Sequence, residues 1–129
     1  MRKLALLFLL PLLLSMQCDS NDGLAYSTEF YVQNNSSVDL IWLNADEEEI
    51  TIESQSEQFL GVSTDMDSFV LPSKTAAFNA ITLYKKEETG VLVILYEQRP
   101  IVDNQWTFNT QWEYERDYML TITNDSLAH

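Results

Sequence analysis

The amino-acid sequence predicts an all-β fold, an antiparallel β-sandwich of about seven to eight strands that follows a cleaved signal segment. Three observations predict it. Short apolar runs alternate with turn residues from residue 29 onward. The segment QWTFNTQWEYE, residues 105–115, alternates large apolar and polar side chains at period two. After the signal, no stretch has the apolar spacing of an amphipathic helix.

The first 18 residues, MRKLALLFLLPLLLSMQC, are typical of a bacterial secretion signal that ends in a cysteine. Arg2 and Lys3 supply the positive start, and Leu4–Leu14 is an apolar run interrupted only by Pro11. A helix needs roughly 20 apolar residues to cross the hydrocarbon core of a bilayer. The run is therefore too short for a permanent membrane span, and residues 1–17 are predicted to be a signal peptide.

The end of the signal, Leu14-Ser15-Met16-Gln17-Cys18, resembles a lipobox, in which the chain is cut before a cysteine whose sulfur receives a diacylglycerol. Gln17 departs from that pattern, because lipoboxes place Gly, Ala or Ser there. The alternatives are a free thiol and an ordinary cleavage site at Gly23-Leu24-Ala25. We predict lipidation of Cys18, followed by a polar tether through residue 27. Two or more acyl chains would anchor the protein stably to a membrane.

Net charge limits the partners. Residues 1–17 contain Arg2 and Lys3 and no acid, so the remaining chain carries 20 acidic and five basic side chains, a net charge of −15. Nucleic acid is disfavoured because its binding depends on Lys and Arg that neutralise phosphates. One domain is expected at this length, over residues 28–124, with residues 125–129 as a tail. Since Cys18 is the only cysteine, packing rather than a disulfide must stabilise the domain.

The strands predicted before residue 77 are short. They are residues 29–33, 38–43 and 50–52. A polar stretch at 53–58 and an apolar patch at 59–62 follow, and Pro72 limits residues 69–71 to an edge or a strand end. The cluster Asn34-Asn35-Ser36-Ser37 joins the first two as a hairpin, because Asn tolerates left-handed backbone and Ser hydrogen-bonds nearby backbone groups. Residues 54–77 show no regular pattern.

The pattern is clearer from residue 78 onward. Residues 78–84 and 91–96 predict a hairpin, and VLVILY (91–96) is apolar on both parities. Such a run predicts a strand buried on both faces at the centre of a sheet. Residues 105–115 and 118–123 predict the last two strands, with Arg116-Asp117 as the turn between them.

Catalytic and metal signatures are missing from the sequence. Its only histidine, His129, is the terminal residue, and no G-x-S-x-G motif occurs. The acidic segments 46–49 and 65–67 lack the ligand spacing and glycine of a calcium loop. We therefore expect no enzyme, no metal and no cofactor. A glycoside hydrolase with two carboxylates is the remote alternative, because acids are abundant.

Trp106, Trp112 and Tyr114 share one parity of the alternating segment, so they are predicted to share one strand face. Two interpretations follow. The three rings form either an exposed platform that binds a sugar or the apolar surface of a partner, or the core of the sandwich, where such rings are usually buried. Trp42 has the same two interpretations.

The signal with its cysteine, the N-N-S-S turn, the tryptophan strand and the closing Tyr-x-Leu-Thr-Ile-Thr followed by Asp-Ser-Leu resemble the short lipoproteins common in Bacteroidetes. The resemblance implies an envelope location and a single sandwich of the immunoglobulin or transthyretin type, and it carries over no activity. Asp125-Ser126-Leu127 resembles the triplet that those bacteria O-glycosylate, which implies Ser126 as the modified residue.

These expectations combine into one hypothesis. The protein is expected to be a lipoprotein of the bacterial cell envelope, in the outer membrane and facing either the periplasm or the cell surface. Its domain is expected to be a non-enzymatic binding module for a protein or a glycan. The alternative is a structural or accessory subunit of an envelope complex without a ligand of its own.

Overall fold

Two four-stranded sheets face each other in the computed structural model, which describes residues 24–128. The strands are β1 Tyr26–Asn34, β2 Leu40–Leu43, β3 Glu49–Ile52, β4 Ser56–Asp65, β5 Ile81–Lys86, β6 Leu92–Gln98, β7 Trp106–Trp112 and β8 Glu115–Ile122. The first sheet has the order β4-β1-β8-β7 and the second β3-β2-β5-β6. The prediction of an all-β sandwich is confirmed. The predicted signal, Cys18 and most of the tether lie outside the described residues.

Helical structure in residues 24–128 is limited to three single 3₁₀ turns, Pro72–Lys74, Asp103–Gln105 and Asn124–Ser126. None of them has the length or the apolar content to cross a membrane.

The first and last strands lie side by side in the middle of the first sheet. Five of the six strand pairings are antiparallel, but β1 and β8 run parallel, with Phe30 opposite Tyr118 and Val32 opposite Leu120. Alternate residues of β1 are fully buried because they point between the sheets. These two strands therefore supply much of the core, and the ring of Phe30 stacks on that of Tyr118 at 5.9 Å.

Strand β4 and the segment after it differ from the prediction. One ten-residue strand, β4, covers the second half of the expected polar stretch 53–58 and the whole apolar patch 59–62, while residues 69–71 form no strand. Residues 66–80 cross the inner face of the first sheet instead, where the Val70 amide donates to Thr28 Oγ1 at 3.0 Å. Gly61 permits this crossing, since a Cβ there would lie 2.7 Å from Ala77 Cβ.

The prediction of a turn at Arg116-Asp117 is wrong. The hairpin turns at residues 113–114, and both charged residues lie within β8. Their side chains alternate between the two faces of the sheet. The Arg116 guanidinium packs between aromatic rings, and Asp117 points away from the core toward Gln111, whose amide donates to it. Charged residues are thus accommodated inside a strand because each side chain has a polar or aromatic neighbour.

The prediction that residues 91–96 form a central, doubly buried strand is also wrong. Strand β6 is the edge of the second sheet, and Val91, Val93 and Ile94 are 58%, 41% and 48% exposed. At a bulge around Leu95, the side chains of Leu95 and Tyr96 both pack against the core. On its outer side, the Leu95 carbonyl accepts a hydrogen bond from the Ala128 amide at 2.8 Å.

Candidate functional site

One end of the first sheet carries a cluster of rings around a single arginine. Strands β1 and β8 begin there, and β4 and β7 end there, so that Tyr26 lies opposite Asp65 and the Ser27 amide donates to the Tyr114 carbonyl. We name this cluster the aromatic pole. Its members are Tyr26, Phe69, Phe108, Trp112, Tyr114 and Arg116.

Four of the five rings in the aromatic pole form a continuous chain of contacts, and Phe108 joins them through Arg116. Tyr26 meets Phe69 edge-on at 4.9 Å and Tyr114 at 5.2 Å, and Trp112 meets Tyr114 edge-on at 5.5 Å. Each such pair contributes about 0.5–1.5 kcal/mol beyond the area that it buries. The chain therefore holds the rings in a defined arrangement at the surface.

Arg116 sits between two rings of the pole. Its guanidinium carbon lies 4.3 Å from the ring centroids of both Phe69 and Phe108, and its Nε donates to Thr110 Oγ1 at 3.1 Å. The ion pairs found among residues 24–128 join Lys86 to Glu49 and Arg99 to Glu97, so neither includes Arg116. Aromatic faces rather than carboxylates thus surround this cation.

The predicted set Trp106, Trp112 and Tyr114 is divided by the structure. Trp106 is 5% exposed in the core, where its Nε1 donates to Gln98 Oε1 at 2.9 Å. Trp112 is 51% exposed and lies with the partly buried Tyr114 in the aromatic pole. Trp42 is partly buried against the core. The platform interpretation thus applies to Trp112 and Tyr114, and the core interpretation to Trp106.

The period-two alternation predicted an apolar face on β7, but it did not predict where along the strand that face leaves the core. Phe78 stacks on Trp106 at 5.6 Å and covers it, whereas Phe108, two residues further along, is 58% exposed. Beyond Phe108 a register shift at Gln111 interrupts the alternation. The pole residues Phe69 and Arg116 were also missed, because their ring contacts join segments that are distant in the sequence.

A second cluster lies on the outer face of the same sheet. Carboxylate oxygens of Glu29, Glu115 and Asp117 all lie within 4.8 Å of one another. Glu29 is directly opposite Asp117 on the parallel strands β1 and β8. Carboxylates are the ligands that calcium and magnesium use, so these three residues could hold such an ion. The expectation of no metal site stays a prediction.

Neutral donors, not cations, contact the three carboxylates. The Tyr31 hydroxyl donates to Glu29 at 2.7 Å, Trp112 Nε1 to Glu115 at 2.6 Å, and Gln111 Nε2 to Asp117 at 3.0 Å. The other oxygen of Asp117, Oδ1, is buried without a hydrogen-bond partner among the described residues. Burial and the nearby charge of Glu29 raise the pKa of Asp117.

Replacing Asp117 with asparagine is expected to raise the free energy of unfolding at neutral pH by about 0.5–1 kcal/mol, the scale for like charges on neighbouring strands. Because folding raises the pKa of Asp117, the folded state binds the proton more tightly than the unfolded state. The wild-type penalty is therefore fully present above the folded-state pKa and is relieved as pH falls through it.

Urea unfolding of the wild type and Asp117→Asn at neutral and mildly acidic pH checks this expectation, with Glu88→Gln in the exposed β5–β6 turn as the charge-matched control. The difference between wild type and Asp117→Asn should shrink in acid. An equal gain from Glu88→Gln would mean that net charge, not this cluster, causes the effect.

The mapped cavities lie away from both clusters. One of about 320 Å³ is lined by Ser37, Leu95, Asn124 and Leu127 among others, and one of about 400 Å³ by Ile41, Thr51, Lys85 and neighbours. Both are open depressions near the far end of β1. None of the carboxylates of the outer cluster lines them.

Ser126, the predicted glycosylation site, lies in the exposed 3₁₀ turn at the end of the domain. Its Oγ accepts a hydrogen bond from the Thr123 amide at 3.1 Å and contacts the Thr123 hydroxyl at the same distance. The hydroxyl therefore caps this turn.

Comparison of the chain with protein-family models, with curated proteins and with solved structures found no match.

Proposed function

We propose that the protein is a lipoprotein of the bacterial cell envelope, anchored through Cys18, and that its sandwich is a non-enzymatic binding module for another protein. The exposed apolar edge strand β6 is the observation that supports binding. Monomeric domains protect such edges with charges, proline or covering segments, because an open edge pairs with other chains. Here Val93 and Ile94 of β6 are exposed, as is Val91 just before the strand.

Strand addition is the binding mode that this edge favours. The side of β6 away from β5 has no neighbouring strand in its sheet. The Ala128 amide already donates to the Leu95 carbonyl on that side, so an extended peptide would gain backbone hydrogen bonds along residues 92–94, before Leu95. Alternate aliphatic side chains would supply specificity. A protein partner is therefore favoured over a glycan, since backbone groups and aliphatic side chains offer no ring on which a sugar could stack.

A permanent subunit contact would use the same edge. The accessory-subunit alternative therefore differs from the binding module in the lifetime of the complex rather than in its surface. Exchange of a labelled partner separates the two: it is complete within minutes for a binding module and does not occur for a permanent subunit.

An enzymatic role receives little support from the carboxylates. A glycosidase places an acid and a second carboxylate on either side of a bound sugar. Glu29, Glu115 and Asp117 instead lie side by side on a sheet face, each already accepting a hydrogen bond from a neutral side chain. We therefore propose no catalytic activity.

Photo-crosslinking in intact cells tests the binding proposal. A photoreactive residue at position 93 is expected to give one defined protein adduct, and the same residue at position 62 is expected to give none. Val62 is the matched control because it is an exposed valine, 49% against 41%, on an edge strand of the other sheet. Adducts at both positions, or at neither, would reject a partner at the β6 edge.

Palmitate labelling tests the anchor separately. Wild-type protein is expected to incorporate the label, and Cys18→Ala is expected to lose it completely, because Cys18 is the only thiol in the chain. Label that persists in Cys18→Ala, or that never enters the wild type, would reject acylation at this residue.

A further inference from the structure

We propose that the aromatic pole is a membrane-contact surface, which rests on the lipid interface to which Cys18 anchors the chain. The inference depends on the proposed anchor and adds to it a defined orientation of the domain. It also leaves strand β6 free for a protein partner.

The proposed anchor, Cys18, is close in the sequence to the aromatic pole. Residues 19–25 separate Cys18 from Tyr26, where β1 begins within the aromatic pole. Even fully extended, this connection reaches only about 28 Å. The other end of β1, at Asn34, lies about 27 Å further along the extended strand. An anchored Cys18 therefore keeps the aromatic pole within about 28 Å of the bilayer, whereas the opposite end of the domain can lie up to about 55 Å away.

Most of the highly exposed apolar side chains lie in or near the aromatic pole. Among residues 24–128, the large apolar side chains that are more than half exposed are Leu24, Met66, Val91, Phe108 and Trp112. All of these except Val91 belong to the aromatic pole or lie within two residues of Tyr26 or Asp65, which are paired at this end. Apolar exposure is thus concentrated where the anchor enters.

Aromatic residues with one polar group suit the interface between lipid and water. Tryptophan and tyrosine concentrate there because the ring is apolar and the N–H or O–H stays hydrated. Trp112 and Tyr114 present such rings, and Arg116 keeps a charged head beside the rings of Phe69 and Phe108. Long cationic side chains behave similarly at membrane surfaces.

Charge favours a neutral lipid surface over an anionic one. Arg116 is the basic member of the pole, whereas Asp65, Asp67 and Glu113 flank it. The net charge of −15 from Cys18 onward opposes adsorption to anionic lipid. Apolar and aromatic contact with zwitterionic headgroups needs no such attraction.

Quenching of tryptophan by brominated lipid tests the contact. The chain from Cys18 onward is coupled through its single thiol to a maleimide phospholipid in vesicles of phosphatidylcholine with brominated acyl chains. Emission of the wild type is expected to be quenched relative to vesicles without bromine. Trp112→Phe is expected to lose this quenching, while Trp42→Phe keeps it, because Trp42 is partly buried against the core of the sandwich and lies outside the pole.

Three results would overturn the proposal: no quenching of the wild type, equal quenching in Trp112→Phe, or loss of quenching in Trp42→Phe alone. Unquenched emission that instead shifts on addition of cellotetraose or oligolysine would assign the pole to a glycan or a basic peptide. Since chemical coupling replaces acylation, failed palmitate labelling rejects the anchor alone, and absent quenching rejects the membrane contact alone.

Discussion

Replacing Asn34 with aspartate is expected to lower the free energy of unfolding by about 4 kcal/mol. The side chain is fully buried, and its Nδ2 donates to the carbonyls of Val38 at 2.8 Å and Ile52 at 2.9 Å. Aspartate would direct an acceptor at two acceptors and would bury a charge without a cation. Each buried carbonyl left without a donor costs roughly 1–3 kcal/mol, and a buried charge adds to that.

The exposed neighbour Asn35 supplies the control. Asn35→Asp adds the same charge one residue later, and Asn35 Oδ1 accepts from the side-chain Nε2 of Gln33 at the surface, at 2.9 Å. Its expected cost is below about 0.5 kcal/mol, as for surface substitutions generally. Urea unfolding of both variants checks the difference. Similar losses in the two would mean that the turn responds to net charge and that the buried hydrogen bonds of Asn34 contribute little.

The contacts of Asn34 show what can be predicted from neighbouring residues in the sequence and what cannot. The N-N-S-S cluster predicts a turn that joins the first two strands as a hairpin. The chain does turn after Asn34, because Asn and Ser satisfy nearby backbone groups. The hairpin prediction is wrong, since β1 and β2 lie in different sheets. Asn34 Oδ1 does accept from the Ser36 amide at 3.0 Å, two residues away. Its bond to Ile52 joins the two sheets across 18 residues, and no local pattern contains that partner.

The number of strands could be predicted from the sequence, because each strand has its own local pattern. The order of the strands in the sheets could not. Alternation reports that a segment has one buried face, and that property is local. Neighbours in a sheet are set by long-range pairing, as in the parallel contact of β1 with β8. The run VLVILY shows this limit of sequence patterns, because a continuous apolar run is compatible with a strand at the centre of a sheet and with a strand at its edge. It lies at the edge because β5 pairs with both β2 and β6, so that β6 has a neighbouring strand on one side of its sheet and none on the other.

The two tryptophans of β7 differ in burial: Trp106 lies in the core, and Trp112 lies at the surface in the aromatic pole. Trp106→Ala is expected to cost about 3–5 kcal/mol of the free energy of unfolding, the range for a fully packed aromatic. The ring stacks on Phe78 and meets Phe30 edge-on at 6.3 Å. Its loss would also remove one donor from the buried Gln98 Oε1.

Trp112→Ala is the matched variant, the same substitution on the same strand, and it is expected to cost less than about 1 kcal/mol. Half of its surface is already in water, its ring meets that of Tyr114 edge-on, and its Nε1 donates to Glu115. Urea unfolding measures both. Equal losses would contradict the division of the strand into a core part and a surface part. A large loss for Trp106→Ala and a small one for Trp112→Ala would mean that Trp112 can be substituted in functional tests without unfolding the domain. The part of β7 that stabilises the sandwich is then the part before Phe108, which contains Trp106.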